Sequence, residues 1–221
     1  MTGVGPTPLR GRQAEARRND ELILEAALDV FSANQRAPMS AVAERAGVGQ
    51  ASLYRRFPSK DALLSRVAER GMTRVHEAAV AALEAPGDAW DALTGFLRWY
   101  LESGTPRLAA LLGAFTPEEQ LFELAHETNE AMQALVERTA KAGRLREDIT
   151  GADLTLIVTQ ISTLEASDAE RAAALRDRYL TLVLQSFALR DAPELPGPAP
   201  DAAELEQPWR EQQRSSEPQG H

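Results

Sequence analysis

The chain has 221 residues, of which 43% are hydrophobic and 26% are charged, and its formal net charge is −9. This composition is typical of a folded globular protein, and no apolar stretch approaches the about 20 residues that a membrane-spanning helix needs. Cysteine is absent, which excludes disulfides, thiolate nucleophiles and cysteine-bound zinc. Because residues 1–8 contain no apolar signal segment, we expect a cytoplasmic protein without a membrane partner.

The charge is distributed unevenly along the chain. Residues 1–70 contain 11 basic and 8 acidic side chains, a net charge of +3, whereas the remaining 151 residues contain 13 basic and 25 acidic ones, a net charge of −12. This asymmetry is typical of a DNA-binding module joined to a body that DNA repels, although chance clustering of surface charge gives the same pattern.

The N-terminal residues 1–17 predict a flexible basic arm, suited either to solvent or to the minor groove of DNA. Its arginines, with one just behind it, are Arg10, Arg12, Arg17 and Arg18. Apolar residues then recur with helical spacing from Ile23, which predicts a helix from about Asn19 to Ala33. In the following loop we expect Asn34 to take the left-handed conformation usually given to glycine.

Two short helices follow, with a tight turn between them. The inward-facing apolar residues of this pair are Val42, Ala43, Ala46, Leu53 and Phe57. Gly47 supplies the left-handed residue that ends the first helix, and the second begins near Gln50. Because two of the inward residues are alanines, the helices cross closely, which predicts a helix-turn-helix with its second helix in the major groove of DNA.

Residues 42–63 read V-A-E-R-A-G-V-G-Q-A-S-L-Y-R-R-F-P-S-K-D-A-L. This segment resembles the N-terminal signature of the tetracycline-repressor (TetR) family, with Val42 and Ser52 as mild replacements. The resemblance implies an all-α fold, with a three-helix DNA-binding domain at residues 18–64 and a helical bundle at residues 65–191 for ligand binding and dimerisation. It also implies a homodimeric transcriptional regulator, most simply a repressor that a small apolar molecule releases from operator DNA.

The resemblance further implies which side chains meet DNA. Gln50 and Ala51 are expected at base edges, because a glutamine amide pairs with adenine and an alanine contacts the thymine methyl group. The residues expected to hold the phosphate backbone are Ser40, Ser52, Tyr54, Arg55, Arg56 and Lys60.

The rest of the chain predicts further helices, whose starts are indicated by capping residues. These are Ser59, Asp88, Thr116, Thr150 and Ser167. The first of these helices runs to about Ala85, the second is apolar on more than one side, and the third extends to Gly143. The last two helices contain strand-favouring runs, but their caps favour helix.

The resemblance places a ligand cavity in the aromatic-rich middle of the body and a dimer interface on the last two helices. Candidate ligand contacts are Phe96, Trp99, Tyr100, Phe115, Phe122, His126 and Asn129, with Gln133 as a further polar group. Candidate interface residues are Leu154, Ile157, Val158, Ile161, Tyr179, Leu182 and Val183. For both sets, packing in the core of one subunit is the alternative.

Residues 192–221 hold 6 of the 13 prolines, which predicts a disordered tail.

Catalysis is not expected, because the three histidines lack the partners of a triad and the pair His126 and Glu130 lacks a third metal ligand. We therefore expect no enzyme activity, cofactor or metal. A helical adaptor for protein partners is the alternative to a regulator, and a gel shift with DNA separates the two.

Overall fold

The structure, a computed structural model, describes residues 8–111, 113–188, 193 and 195–216. Every regular element within these residues is helical, which confirms the predicted all-α fold. The α-helices are α1 (Pro8–Ala33), α2 (Met39–Ala46), α3 (Gln50–Arg56), α4 (Lys60–Glu84), α5 (Ala89–Glu102), α6 (Glu119–Lys141), α7 (Gly151–Ser162), α8 (Ala169–Phe187) and α9 (Ala202–Ser216). A 3₁₀ helix spans Thr105–Leu111. In the described ranges no helix is both long and apolar enough to cross a membrane.

The chain divides into two compact units, Met1–Val67 and Ala68–His221, and α4 runs through the boundary. In the first unit, α1 to α3 and the start of α4 share one apolar core. Its fully buried side chains include Ile23, Phe31, Val42, Leu53, Leu63 and Leu64. Gly47 ends α2 at φ 67°, and its amide bonds back to the carbonyls of Ala43 and Glu44, as the sequence predicts.

Two predictions for the first unit are wrong. Of the segment expected to be a flexible arm, residues 1–7 lie outside the described residues, and residues 8–17 are helical, because Ala, Gln, Glu and Arg all favour helix and proline is accepted in a first turn. Asn34 does not take the left-handed conformation. Its Oδ1 accepts from the Arg36 amide at 2.9 Å and its carbonyl accepts from the Ala37 amide at 3.0 Å, so a side-chain turn replaces the glycine.

The second unit packs around α5, whose Leu93, Phe96, Leu97 and Tyr100 are buried. This agrees with the pattern that predicted an interior helix. Arg138 of α6 donates to the carbonyls of Ala82, Leu83 and Ala85 at 2.7–3.0 Å. It thereby supplies a charged donor to carbonyls at and just beyond the end of α4, of which the Ala82 carbonyl also accepts from the Ala85 amide at 3.3 Å.

Three predicted caps are confirmed. Ser59 Oγ accepts from the Ala62 amide at 3.1 Å, Asp88 caps α5, and Thr150 with Asp153 forms a capping box at α7. Two predicted helix starts are wrong. Asp168 replaces Ser167 as the cap of α8, because its carboxylate accepts from the Arg171 amide at 2.7 Å more strongly than a hydroxyl would.

The other shifted start is that of α6, which begins at Glu119 rather than at Pro117. Pro117 is buried, so packing holds it, and Glu118 before the helix is extended and makes no side-chain cap.

The prediction of a disordered tail is also wrong for residues 202–216, where α9 forms, while residues 192, 194 and 217–221 lie outside the described residues. Asp201 Oδ1 accepts from the Glu204 amide at 2.9 Å at the start of this helix. Leu205 and Trp209 lie one turn apart on α9, and the Trp209 ring meets Phe122 of α6 edge-on, with 5.8 Å between centroids. The contact of Trp209 with Phe122 and the cap at Asp201 therefore help to outweigh the polar, proline-rich composition around them.

We predict that Gly151→Ala destabilises the protein by about 1–3 kcal/mol, because a Cβ there would lie 3.0 Å from the backbone nitrogen of Gln133. Gly95→Ala is the matched control: it is exposed on α5 with nothing within 4 Å of its Cβ, and should stabilise by about 0.5–1 kcal/mol. Urea unfolding of both variants checks this. Equal effects of the two substitutions would contradict the close approach of α7 to α6.

Candidate nucleic-acid interface and ligand cavity

Helix α3 is held by its inward side and presents its outward side to solvent. Leu53 is fully buried and Phe57 follows one turn later in the same core, so α3 has one orientation within the first unit. The outward residues are Gln50, Ala51, Tyr54 and Arg55, and all four are exposed. Tyr54 is 49% exposed, which is unusual for a large aromatic side chain and is typical of a contact surface.

The chemistry around this outward side suits a nucleic acid. Helix α3 carries two arginines and no acidic residue, and Arg55 Nη2 lies 3.4 Å from Ser52 Oγ. At the start of α2, beside the half-buried Ser40, Pro38 supplies no side-chain cap. The positive end of the α2 dipole is therefore not offset by a side-chain cap, which favours a phosphate oxygen near it.

Two of the residues expected to contact phosphate, Arg56 and Lys60, have partners within the first unit. The Arg56 guanidinium pairs with Asp20 of α1. Lys60 Nζ donates to the carbonyls of Gln35 and Ala37 and lies 4.4 Å from the centroid of the Phe31 ring. These contacts stabilise the first unit, and the phosphate contacts of both residues stay predictions. The other six of the expected DNA contacts lie on α2 or α3 with exposed or half-buried side chains.

The second unit contains a cavity of about 240 Å³, called here the apolar cavity. Its walls come from α4 to α7, the 3₁₀ helix and α9. The described lining residues are Met72, Val75, Tyr100, Thr105, Pro106, Leu108, Ala109, Ala125, Thr128, Asn129, Met132, Thr155, Leu156, Thr159, Glu204, Leu205, Glu206 and Trp209. Burial raises the pKa of Tyr100 to about 12, so its phenol stays protonated at neutral pH.

Of the expected ligand contacts, Tyr100 and Asn129 are among these lining residues. Phe96 is in the core, where its ring stacks on Tyr100 with 5.9 Å between centroids and on Trp99 with 6.3 Å. Phe115 is likewise buried in this unit.

Three further candidates from α6 have other partners. Phe122 supports Trp209, and the exposed His126 pairs with Glu130 at 3.2 Å. Gln133 accepts from the Gly151 amide at 2.9 Å.

The sequence interpretation missed the lining residues of α9, above all Trp209. A signal was present: Asp201 as a cap, followed by Leu205 and Trp209 one turn apart. The proline content of the segment concealed it.

A second cavity, of about 440 Å³, lies between α5 and α8 and is called here the polar cavity. An ion pair between Arg98 and Asp177 lines it, together with Glu102, Arg107 and Arg176. The apolar cavity is therefore the better candidate for an apolar ligand.

The expected interface residues of α7 and α8 divide by exposure. Leu154, Val158 and Ile161 are buried in the core of one protomer. Ile157 and Val183 are half-buried, whereas Tyr179 and Leu182 are 47% and 48% exposed. The four that are not fully buried, Ile157, Tyr179, Leu182 and Val183, are together called here the α7/α8 face.

Comparison with known proteins gives matches to both units. Residues 23–67 match the family of bacterial regulatory proteins named tetR, and residues 86–188 match the C-terminal domain of SbtR-like transcriptional regulators. The chain matches no curated protein.

Solved structures of similar proteins share the fold. A TetR transcriptional regulator from Streptomyces coelicolor is 28% identical, with a TM-score of 0.55 over 78% of this chain and 99% of that one. A TetR regulatory protein from Mycobacterium vanbaalenii is also 28% identical, with a TM-score of 0.56 over 82% of this chain and 100% of that one. A tetR-family regulatory protein from Rhodococcus, 19% identical, has a TM-score of 0.59 over 78% of this chain and 98% of that one.

We predict that Lys60→Met lowers the stability of the first unit by about 1–3 kcal/mol, because two carbonyls lose a charged donor while the packed stem is kept. Arg55→Met is the control and should change stability by less than about 0.5 kcal/mol, since Arg55 is exposed. Urea unfolding followed by circular dichroism measures both. If Lys60→Met left stability unchanged and weakened binding to DNA, Lys60 would be a phosphate contact after all.

Proposed function

This chain belongs to the TetR family of bacterial transcriptional regulators, and we propose that it is a homodimeric repressor which a small apolar molecule releases from operator DNA. The observation that supports this most directly is that α3 exposes the side chains of its outward side while its inward side is buried. A helix held in this way keeps its reading side chains in a fixed register against the edges of base pairs.

Within α3 the roles divide by chemistry. Gln50 begins the helix, so its amide is at the end that enters the major groove, and Ala51 beside it is small enough for close approach to a thymine methyl group. Tyr54 and Arg55 follow on the same exposed side and suit phosphate oxygens. In this proposal Gln50 specifies sequence and Arg55 contributes affinity.

Specific binding by so small a reading helix requires two copies about 34 Å apart, and hence a dimer. The α7/α8 face is the surface we assign to it. Tyr179 and Leu182 are large apolar side chains that a monomer would leave in water, and they lie on one helix with the half-buried Val183. A two-fold dimer would cover the same face on both subunits.

Release by a ligand requires that the apolar cavity and the reading helix be coupled. Helix α4 carries Met72 and Val75 in the wall of the cavity, and its first turns carry Leu63 and Leu64 in the core of the first unit. A ligand that moves α4 would change the separation of the two reading helices in the dimer. A coupling of about 1–3 kcal/mol would weaken DNA binding 5–150-fold.

We predict that Gln50→Ala loses about 1–3 kcal/mol of binding free energy on the operator and little on random DNA, because only base reading is removed. The operator is obtained by selection from a library of random duplexes, and affinity is measured by fluorescence anisotropy. Arg55→Ala is the comparison: it should weaken binding to both DNAs and reduce the slope of log K against log salt by about 1. An equal loss of binding free energy for Gln50→Ala on both DNAs would contradict the base-reading role.

We predict that Leu182→Glu converts the dimer to a monomer, because it buries an unpaired carboxylate in the α7/α8 face. Operator affinity should then fall about 100-fold or more, since two linked half-sites become one. Sedimentation equilibrium measures the mass. Gln120→Glu adds the same charge at an exposed position of α6 and should leave the protein dimeric. A dimeric Leu182→Glu variant would place the interface elsewhere.

A further inference from the structure

Helix α9 lies beyond residue 188, where the family match ends, yet it is packed against the second unit. Trp209 is 5% exposed and Glu206 is 6% exposed, values typical of interior residues. Arg210 of the same helix lies over the Phe122 ring, 5.3 Å from its centroid. The helix therefore docks through several side chains on its inner side.

The segment that leads to α9 is tethered at three points. Arg146 Nη2 donates to the Pro193 carbonyl at 2.7 Å, and the Leu195 amide donates to Asp148 at 3.2 Å. Thr150 Oγ1 donates to the Pro200 carbonyl at 3.3 Å. The Arg146 guanidinium lowers the pKa of Asp148 to about 2, so the carboxylate that holds Leu195 is charged at neutral pH.

Four residues of α9 complete the wall of the apolar cavity: Glu204, Leu205, Glu206 and Trp209. The indole Nε1–H of Trp209 is buried and has no hydrogen-bond partner in the part of the chain that the structure describes. A buried donor without an acceptor is unfavourable, so a molecule in the cavity that offers an acceptor to this N–H gains affinity.

The ionised groups of the wall come from α9 as well. Among the lining residues that the structure describes there are two carboxylates, those of Glu204 and Glu206, and no lysine, arginine or histidine. Arg210 Nη2 binds Glu206 at 2.6 Å from outside the lining and offsets one of the two charges. The remaining formal charge of −1 lies on Glu204, whose side chain is exposed, so water screens it while it repels anions and favours a cation.

The following inference rests on the proposed function. The geometry points to α9 as a wall of the effector site. It also points to the class of effector, an apolar amine that carries a hydrogen-bond acceptor. The hydrocarbon part fills the apolar lining, the protonated nitrogen meets Glu204 and Glu206, and the acceptor meets the Trp209 N–H. A cavity of about 150 Å³ takes a benzene molecule. The 240 Å³ here therefore suit a skeleton somewhat larger than one aromatic ring.

Four probes with one naphthalene skeleton test this. They are naphthyloxyethylammonium, naphthyloxyethanol, naphthyloxyacetate and naphthylpropylammonium, in which a methylene replaces the ether oxygen. Calorimetric titration of the full chain should show that naphthyloxyethylammonium binds at least about 10-fold more tightly than naphthyloxyacetate, with the alcohol between them. No binding of the ammonium probe at millimolar concentration, or equal binding of ammonium and acetate, would overturn the inference.

Variants of α9 then assign the preference to its side chains. In the double variant Glu204→Gln and Glu206→Gln, the preference for ammonium over acetate should shrink to about 2-fold or less. The matched control, Glu123→Gln with Glu127→Gln, removes the same charge from the exposed side of α6 and should keep the preference. A preference that survives in the α9 double variant would contradict the role of α9.

Trp209→Phe separates the hydrogen bond from packing. Loss of packing weakens all probes alike, whereas loss of the N–H removes only the advantage of the ether over the methylene probe. An ether advantage that persists in Trp209→Phe would exclude the indole N–H as the donor.

Gel shifts of operator DNA with the same probes distinguish this inference from the proposed function. If the ammonium probe binds as expected and DNA stays bound, release by a ligand fails and the α9 site stands. If the probe releases DNA equally from the wild type and the α9 double variant, the proposed function stands and the α9 site fails.

Discussion

A helix of seven residues is too short to be stable in water, and α3 exists as a helix only because its inner side is buried. Leu53 is the fully buried residue on the inner side of α3, and α3 packs against α2. Everything that the outward side of α3 does depends on this burial, since four exposed side chains keep one register only on a fixed backbone. The ion pair of Arg56 with Asp20 and the bonds of Lys60 to the preceding loop add polar restraints to the same contact.

The parts of the fold that could be predicted are those with local signals. Gly47 after an alanine-rich turn, Asp88 after Pro86 and Gly87, and Thr150 with Asp153 each act within four residues, so the sequence suffices to find them. The exposed side of α3 follows from the same kind of reasoning, because residues one turn apart share a side.

What could not be predicted depends on partners distant in the sequence. The hydrogen bonds of Lys60 to the loop carbonyls of Gln35 and Ala37 have no local signal in the sequence. The sequence predicts a ligand site at the aromatic residues of α5, but only Tyr100 among them lines the apolar cavity. The neighbouring helices decide the direction of each ring. Helix α9 was missed because its stability comes from Phe122 and from the tethers of the segment before it.

The position of α9 at the far end of the chain has a genetic consequence. A nonsense or frameshift mutation in the codons between α8 and α9 would remove this helix and spare every codon of the first unit, which ends at Val67. If the chain is the ligand-released repressor proposed above and α9 forms part of the sensing wall, such alleles would encode a repressor that still silences its targets but no longer responds to its inducer. In selections for strains locked in the repressed state, truncations of this kind should recur.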